Sequence, residues 1–129
     1  MGSGIAQNAV TSGFTVTLND QRQEALDRAK ANIEKALNRE VEKGRMTAED
    51  RDASLARLTC SATLDNAKDA DLVIEAIIED LKAKQAVFTS LEDLCPAHTI
   101  FASNTSSISL TALASATKRP SQVVGMHFF

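Results

Sequence analysis

The chain has 129 residues, 43% of them hydrophobic and 24% charged, with five Phe and neither Trp nor Tyr. That balance is near the globular average and argues against a disordered tail, a collagen-like chain or a disulfide scaffold, with one domain the natural count. A formal net charge of −3 leaves no basic excess to offset phosphate, which argues against electrostatic binding to nucleic acid. No apolar run reaches the roughly 18–20 residues of a membrane span. The chain also opens without a charged-then-apolar leader, which makes the cytoplasm the default compartment.

In chain order, residues 4–12 read as a short helix, with Ile5, Ala6, Ala9 and Val10 on one face and Gly13 as its stop. Residues 14–18 are rich in β-branched and aromatic side chains and read as a strand ending at Asn19-Asp20. From 22 to 43, Leu26, Ala29, Ile33, Leu37 and Val41 recur every three or four residues, the stripe of a long amphipathic helix ended by Gly44. Thr47 and Asp50 have the spacing of a capping box, and the helix they open carries Leu55 and Leu58. A brief strand over 59–63 follows. The nearly continuous apolar run over 72–78 suits a strand buried on both faces of a parallel sheet. Leu81, Gln85, Phe88, Leu91 and Leu94 mark the next helix, stopped before Pro96. Residues 99–102 form a further buried strand that leads into Ser103-Asn104-Thr105-Ser106-Ser107. A short helix over 109–116 and a strand from Val123 complete the series.

Strands alternating with helices imply an α/β fold built on a mostly parallel sheet, whose ligands bind outside the carboxyl ends of the strands. Three polar features fall there: Asp20, Glu79 and the 103–107 loop. Any one alone reads as ordinary loop polarity; their shared location points to a site.

The opening Gly2-x-Gly4 allows close approach of a phosphate to free helix amides, but it is equally an expression remnant on its own. Asp20 lies 18 residues after Gly2 (20 − 2), near the spacing at which an acidic residue accepts hydrogen bonds from an adenosine ribose. Its carboxylate would repel a ribose 2′-phosphate, favouring NAD over NADP; the competing reading is a cap on the following helix. His127, at the end of an apolar run, is either a packed core residue or a proton acceptor working near neutral pH. Ser106 lacks the G-x-S-x-G elbow of a nucleophile, which disfavours serine hydrolase chemistry. His98 beside Pro96 reads as surface. Cys60 and Cys95 lack metal-ligand spacing and read as small packed hydrophobes.

Four segments together carry a family pattern: Met1-Gly2-Ser3-Gly4-Ile5-Ala6, Asp71-Leu72-Val73-Ile74-Glu75-Ala76-Ile77-Ile78-Glu79, Ser103-Asn104-Thr105-Ser106-Ser107 and Gly125-Met126-His127-Phe128-Phe129. In order and over essentially the whole chain, they resemble the L-3-hydroxyacyl-CoA dehydrogenase family, its bacterial 3-hydroxybutyryl-CoA branch in particular. The resemblance implies a Rossmann-like, doubly wound fold and NAD-dependent oxidation of the 3-hydroxyl of an acyl-CoA, or the reverse reduction. It matches Gly2 to the third glycine of G-x-G-x-x-G, Asp20 to the ribose-binding acid, and Ala76, Glu79 and Lys84 to further cofactor contacts. It also matches Asn104 and Ser106 to the polar loop beside nicotinamide and substrate oxygen, and His127 to the catalytic base.

On this resemblance the family's first strand and first two glycines would precede Met1, and both ends of the chain read as cut. The glutamate that orients the histidine and the helical C-terminal domain that closes the site and forms the homodimer would follow Phe129. The expectation is therefore an incomplete NAD-binding domain over 1–129, inactive by itself. The alternatives are a non-catalytic nucleotide-binding remnant, or a same-fold dehydrogenase for another 3-hydroxy acid.

Overall fold

A computed structural model of the chain describes residues 2–129, arranged as two compact units, one ending at Thr63 and the other beginning at Leu64. The backbone pairing among the described residues forms two parallel sheets, one of two strands and one of three.

The first unit contains α1 (Gly2–Thr11), β1 (Val16–Asn19), α2 (Gln23–Glu42), α3 (Ala48–Ala56) and β2 (Leu58–Ser61). β1 and β2 pair in parallel from Val16 opposite Leu58 to Asn19 opposite Ser61. The α2 stripe is as its spacing dictates: Leu26, Ile33 and Leu37 are buried. Ala6 of α1 joins Ile33 and Leu37 in a core lined by Val16, Leu18, Met46, Leu55 and Leu58. Gly13 and Gly44, with φ of +97° and +74°, supply the left-handed backbone that lets the chain turn out of α1 and α2. The Arg57 guanidinium donates to the Val10 carbonyl at the end of α1, which also accepts from the Gly13 amide (3.3 Å).

The second unit contains β3 (Leu72–Glu75), α4 (Leu81–Glu92), β4 (Ile100–Ser103), α5 (Leu110–Ala114) and β5 (Val123–Gly125). All three strands are parallel, in the order β3-β4-β5. Its core is Phe88, Leu91, Cys95, Phe101 and Leu113, with the Phe88 and Phe101 rings stacked at 5.3 Å. Arg119 is buried but fully engaged: its guanidinium lies 4.7 Å from the Phe101 ring centroid and donates to the carbonyls of Pro96 (2.7 Å) and Thr99 (3.1 Å).

Several boundaries differ from the sequence expectation. The β3 run stops at Glu75, and Ile77 and Ile78 are exposed, so they do not continue a strand buried on both faces. The reason is local: the Glu75 carboxylate accepts a hydrogen bond from the Ile77 amide (2.8 Å) and turns the chain out of the sheet. Leu58 belongs to β2, not to α3. The Thr47 hydroxyl accepts from the Asp50 amide (3.0 Å), the only half of the expected capping box found among the described residues. His127 is not the end of a buried run: β5 ends at Gly125, and the histidine is exposed.

Candidate active site

In the first unit, the amino end of α1 lies against the carboxyl end of β1. A Cβ on Gly2 would sit 3.7 Å from Leu18 Cδ1, and Gly4 faces open space. The first turn of a helix leaves amide donors without internal partners, and side chains as small as Gly2, Ser3 and Gly4 leave them approachable. Asp20 follows β1 directly. Its Oδ1 accepts from the Arg22 amide (2.9 Å) and lies 3.7 Å from Arg22 Nε, so the carboxylate shapes the entry to α2. Its side chain is 40% exposed, leaving the other oxygen open to a hydroxyl donor. Free amides for phosphate and a free carboxylate for a ribose form a donor and acceptor set that fits a dinucleotide.

In the second unit, a polar cluster is built on the carboxyl ends of β3 and β4. Lys84, on the inner face of α4, is 1% exposed and meets Glu75 Oε2 at 2.5 Å, Glu79 Oε1 at 3.2 Å and the Ile77 carbonyl at 3.3 Å. Ser103 donates to Glu75 Oε1 (2.6 Å), completing the partners of a carboxylate fully removed from solvent. Asp80 caps α4 by accepting from the Ala83 amide (2.9 Å) and so fixes where that helix begins.

Glu79 bridges this buried pair to the 103–107 loop. Its Oε2 accepts from Thr105 Oγ1 (2.8 Å), Ser107 Oγ (2.9 Å) and the Ser106 amide (3.3 Å). These donors, the Thr105 hydroxyl foremost, hold its pKa down at about 2. The Thr105 hydroxyl oxygen accepts in turn from the amides of Ser107 (3.3 Å) and Ile108 (3.0 Å), which closes the loop on itself. Asn104 is bound at both ends: its amide donates to the Glu75 carbonyl (2.9 Å), and its Oδ1 accepts from the Phe128 amide (2.7 Å). His127 is exposed, packs edge-to-face with Phe129 at 5.3 Å, and has no hydrogen-bond partner for its ring among the described residues.

The second unit thus brings Ala76, Glu79, Lys84, Asn104, Ser106 and His127 to the carboxyl end of its sheet, whereas Gly2 and Asp20 belong to the first unit. Sequence reading assigned Glu75 no individual role, and marked Ser103, Thr105 and Ser107 only as members of the 103–107 loop. The missed signal was chemical: an acid inside the apolar run 72–75 requires a buried cation, and Lys84 stands at helical spacing with Leu81, Phe88 and Leu91 on the same face of α4. Cys60 and Cys95 are free thiols, and burial raises the pKa of both. His98 pairs with Asp71 at 2.8 Å on the surface. No helix among the described residues is long and apolar enough to cross a membrane, and none of their His, Cys, Asp and Glu side chains forms a metal-binding group.

Residues 1–129 match the family described as 3-hydroxyacyl-CoA dehydrogenase, NAD binding domain. The chain belongs to that family. A probable 3-hydroxybutyryl-CoA dehydrogenase of Bacillus subtilis (strain 168) is 46% identical over 128 residues, which are 99% of this chain and 45% of that protein. A 3-hydroxybutyryl-CoA dehydrogenase of Clostridioides difficile is 43% identical over 129 residues, covering 100% of this chain and 46% of the relative. The crystal structure of a 3-hydroxybutyryl-CoA dehydrogenase from Escherichia coli K12 superposes with a TM-score of 0.97 at 45% identity, covering all of this chain and 27% of that one. The fold is therefore the Rossmann-like NAD-binding fold of this family, and NAD is the cofactor of the domain. The chain spans about half the length of the curated relatives it matches first.

Proposed function

We propose that the protein at its natural length oxidises the 3-hydroxyl of an L-3-hydroxyacyl-CoA to the 3-oxo ester, or carries out the reverse reduction. The observation that carries this reading is His127: a free, exposed imidazole tied through the Phe128 amide to Asn104 at the carboxyl end of a family NAD-binding domain. A neutral imidazole nitrogen within hydrogen-bond reach of a hydroxyl can take its proton. His127 takes the proton of the 3-hydroxyl as the C3–H bond breaks, and returns it in the reverse direction. NAD, when bound, supplies the acceptor for the hydride. The Ser106 hydroxyl, which has no hydrogen-bond partner among the described residues, orients the substrate oxygen, and the Asn104 NH₂ donates to a ligand oxygen beside it.

The cofactor contacts follow unit by unit. In the first unit, the α1 amides at Gly2 take phosphate and Asp20 takes the adenosine ribose. In the second, the Ala76 turn and the Glu79 carboxylate, held in place by Lys84, face the cofactor beside Asn104 and Ser106. Asp20 favours NAD over NADP through repulsion of the 2′-phosphate.

Residues 1–129 serve as the NAD-binding part, and turnover draws as well on the portion of the relatives that this chain does not span. Initial rates of NAD reduction by the natural-length protein test the assignment. L-3-Hydroxybutyryl-CoA is expected to be turned over and free 3-hydroxybutyrate to react far more slowly. Equal rates with the free acid would favour a dehydrogenase for another 3-hydroxy acid.

A further inference from the structure

β4 and β5 run in parallel register from Phe101 opposite Val123 to Ser103 opposite Gly125, and the Met126 amide then donates to the Ser103 carbonyl at 2.9 Å. Amides on one edge of a parallel strand recur every second residue, so the next donor is Phe128, and its regular acceptor would be the carbonyl two residues beyond Ser103. That acceptor is lost to the ladder, because β4 turns away at Asn104. Ser103 Oγ accepts from the Thr105 amide (3.3 Å), and Thr105 Oγ1 accepts from the amides of Ser107 and Ile108. The Asn104 side chain takes the vacant role, its Oδ1 accepting from Phe128 N at 2.7 Å.

We infer that Asn104 is a positioning residue for His127, its side-chain carbonyl serving as one extra rung that carries the β5 backbone past the end of β4. The inference rests on His127 being the base proposed above. The two amides that flank His127, those of Met126 and Phe128, are both fastened to the end of β4, although the strand itself has ended at Gly125. An exposed imidazole on an unpaired chain end would sample many orientations; one on a segment fastened at the residue before it and the residue after it samples far fewer. Asn104 in turn is fastened to β3 through its amide on the Glu75 carbonyl (2.9 Å), so the rung is referred to the middle of the sheet end. The two ends of the Asn104 amide thus have separate tasks: Oδ1 holds the backbone, and only the NH₂ remains for a ligand.

Asn104→Ala and Asn104→Asp separate these tasks, since aspartate keeps an acceptor for the Phe128 amide and lacks the NH₂ donor. Hydrogen exchange at Phe128 in the natural-length protein is expected to quicken about tenfold in Asn104→Ala, the loss of one net hydrogen bond, and to stay near wild type in Asn104→Asp. With L-3-hydroxybutyryl-CoA and NAD, kcat is expected to fall about 10²-fold in Asn104→Ala with KM little changed, and to recover part of that loss in Asn104→Asp, which keeps the acceptor for Phe128 but not the NH₂ for the ligand. Unchanged Phe128 exchange in Asn104→Ala overturns the inference. So does an Asn104→Asp variant that keeps Phe128 protected but is as slow as Asn104→Ala, because the NH₂ would then be what matters. If the wild-type protein turns over no 3-hydroxyacyl-CoA, the proposed function fails, and exchange at Phe128 still decides whether Asn104 holds the His127 backbone.

Discussion

Glu79 holds the 103–107 loop only while it is charged, because all of its bonds to Thr105, Ser106 and Ser107 place the carboxylate as acceptor. Its pKa is lowered from 4.5 to about 2, chiefly by the Thr105 hydroxyl. A depressed carboxylate stabilises the fold fully above its unfolded value, and that contribution fades as pH falls from about 4.5 toward about 2. The Glu79 carboxyl carbon resonance is therefore expected to titrate near 2, and in Thr105→Ala to move back toward the ordinary range. Behind it, Glu75 and Lys84 form a pair with side chains 0% and 1% exposed. Glu75→Ala strands a buried ammonium and is expected to cost about 3–5 kcal/mol in denaturant unfolding. The family resemblance named His127, Asn104, Ser106, Glu79 and Lys84 together. What was not legible was how they connect. Glu75 had no assigned role within its apolar run, yet it is the buried acceptor for Lys84, Ser103 and the Ile77 amide.

At the level of elements, periodicity succeeded where one stripe decides the packing. Leu26, Ile33 and Leu37 place α2, and Phe88 and Leu91 place α4, because a helix of twelve to twenty residues repeats its signal several times. Strands of three or four residues do not, and their ends are set by side-chain bonds that hydropathy does not encode. The exposed Ile77 and Ile78 show this, since the Glu75 carboxylate turns the chain ahead of them. Helix caps are the intermediate case. Thr47 was found from spacing alone, and Thr47→Ala is expected to lower the unfolding free energy by about 1 kcal/mol. Phe88→Ala removes a fully buried ring from the α4–β4 core and its stack on Phe101, and is expected to cost about 3–5 kcal/mol by the same measurement.

For the whole molecule, the parallel α/β class was readable from the alternation of strands and helices, and the family from four short motifs in order. The division into a two-stranded and a three-stranded sheet was not, because hydropathy reports which strands are apolar and not which are hydrogen-bonded. Each unit has its own core, centred on Ile33 and Leu37 in one and on Phe88 and Phe101 in the other. On the proposed reading, His127 removes the substrate proton. Steady-state NAD reduction with L-3-hydroxybutyryl-CoA, measured side by side for the natural-length protein and its His127→Gln variant, tests it most directly. A kcat about 10²–10⁴-fold lower is expected in the variant, with KM within a few-fold of wild type. A variant that retains the wild-type kcat would contradict it.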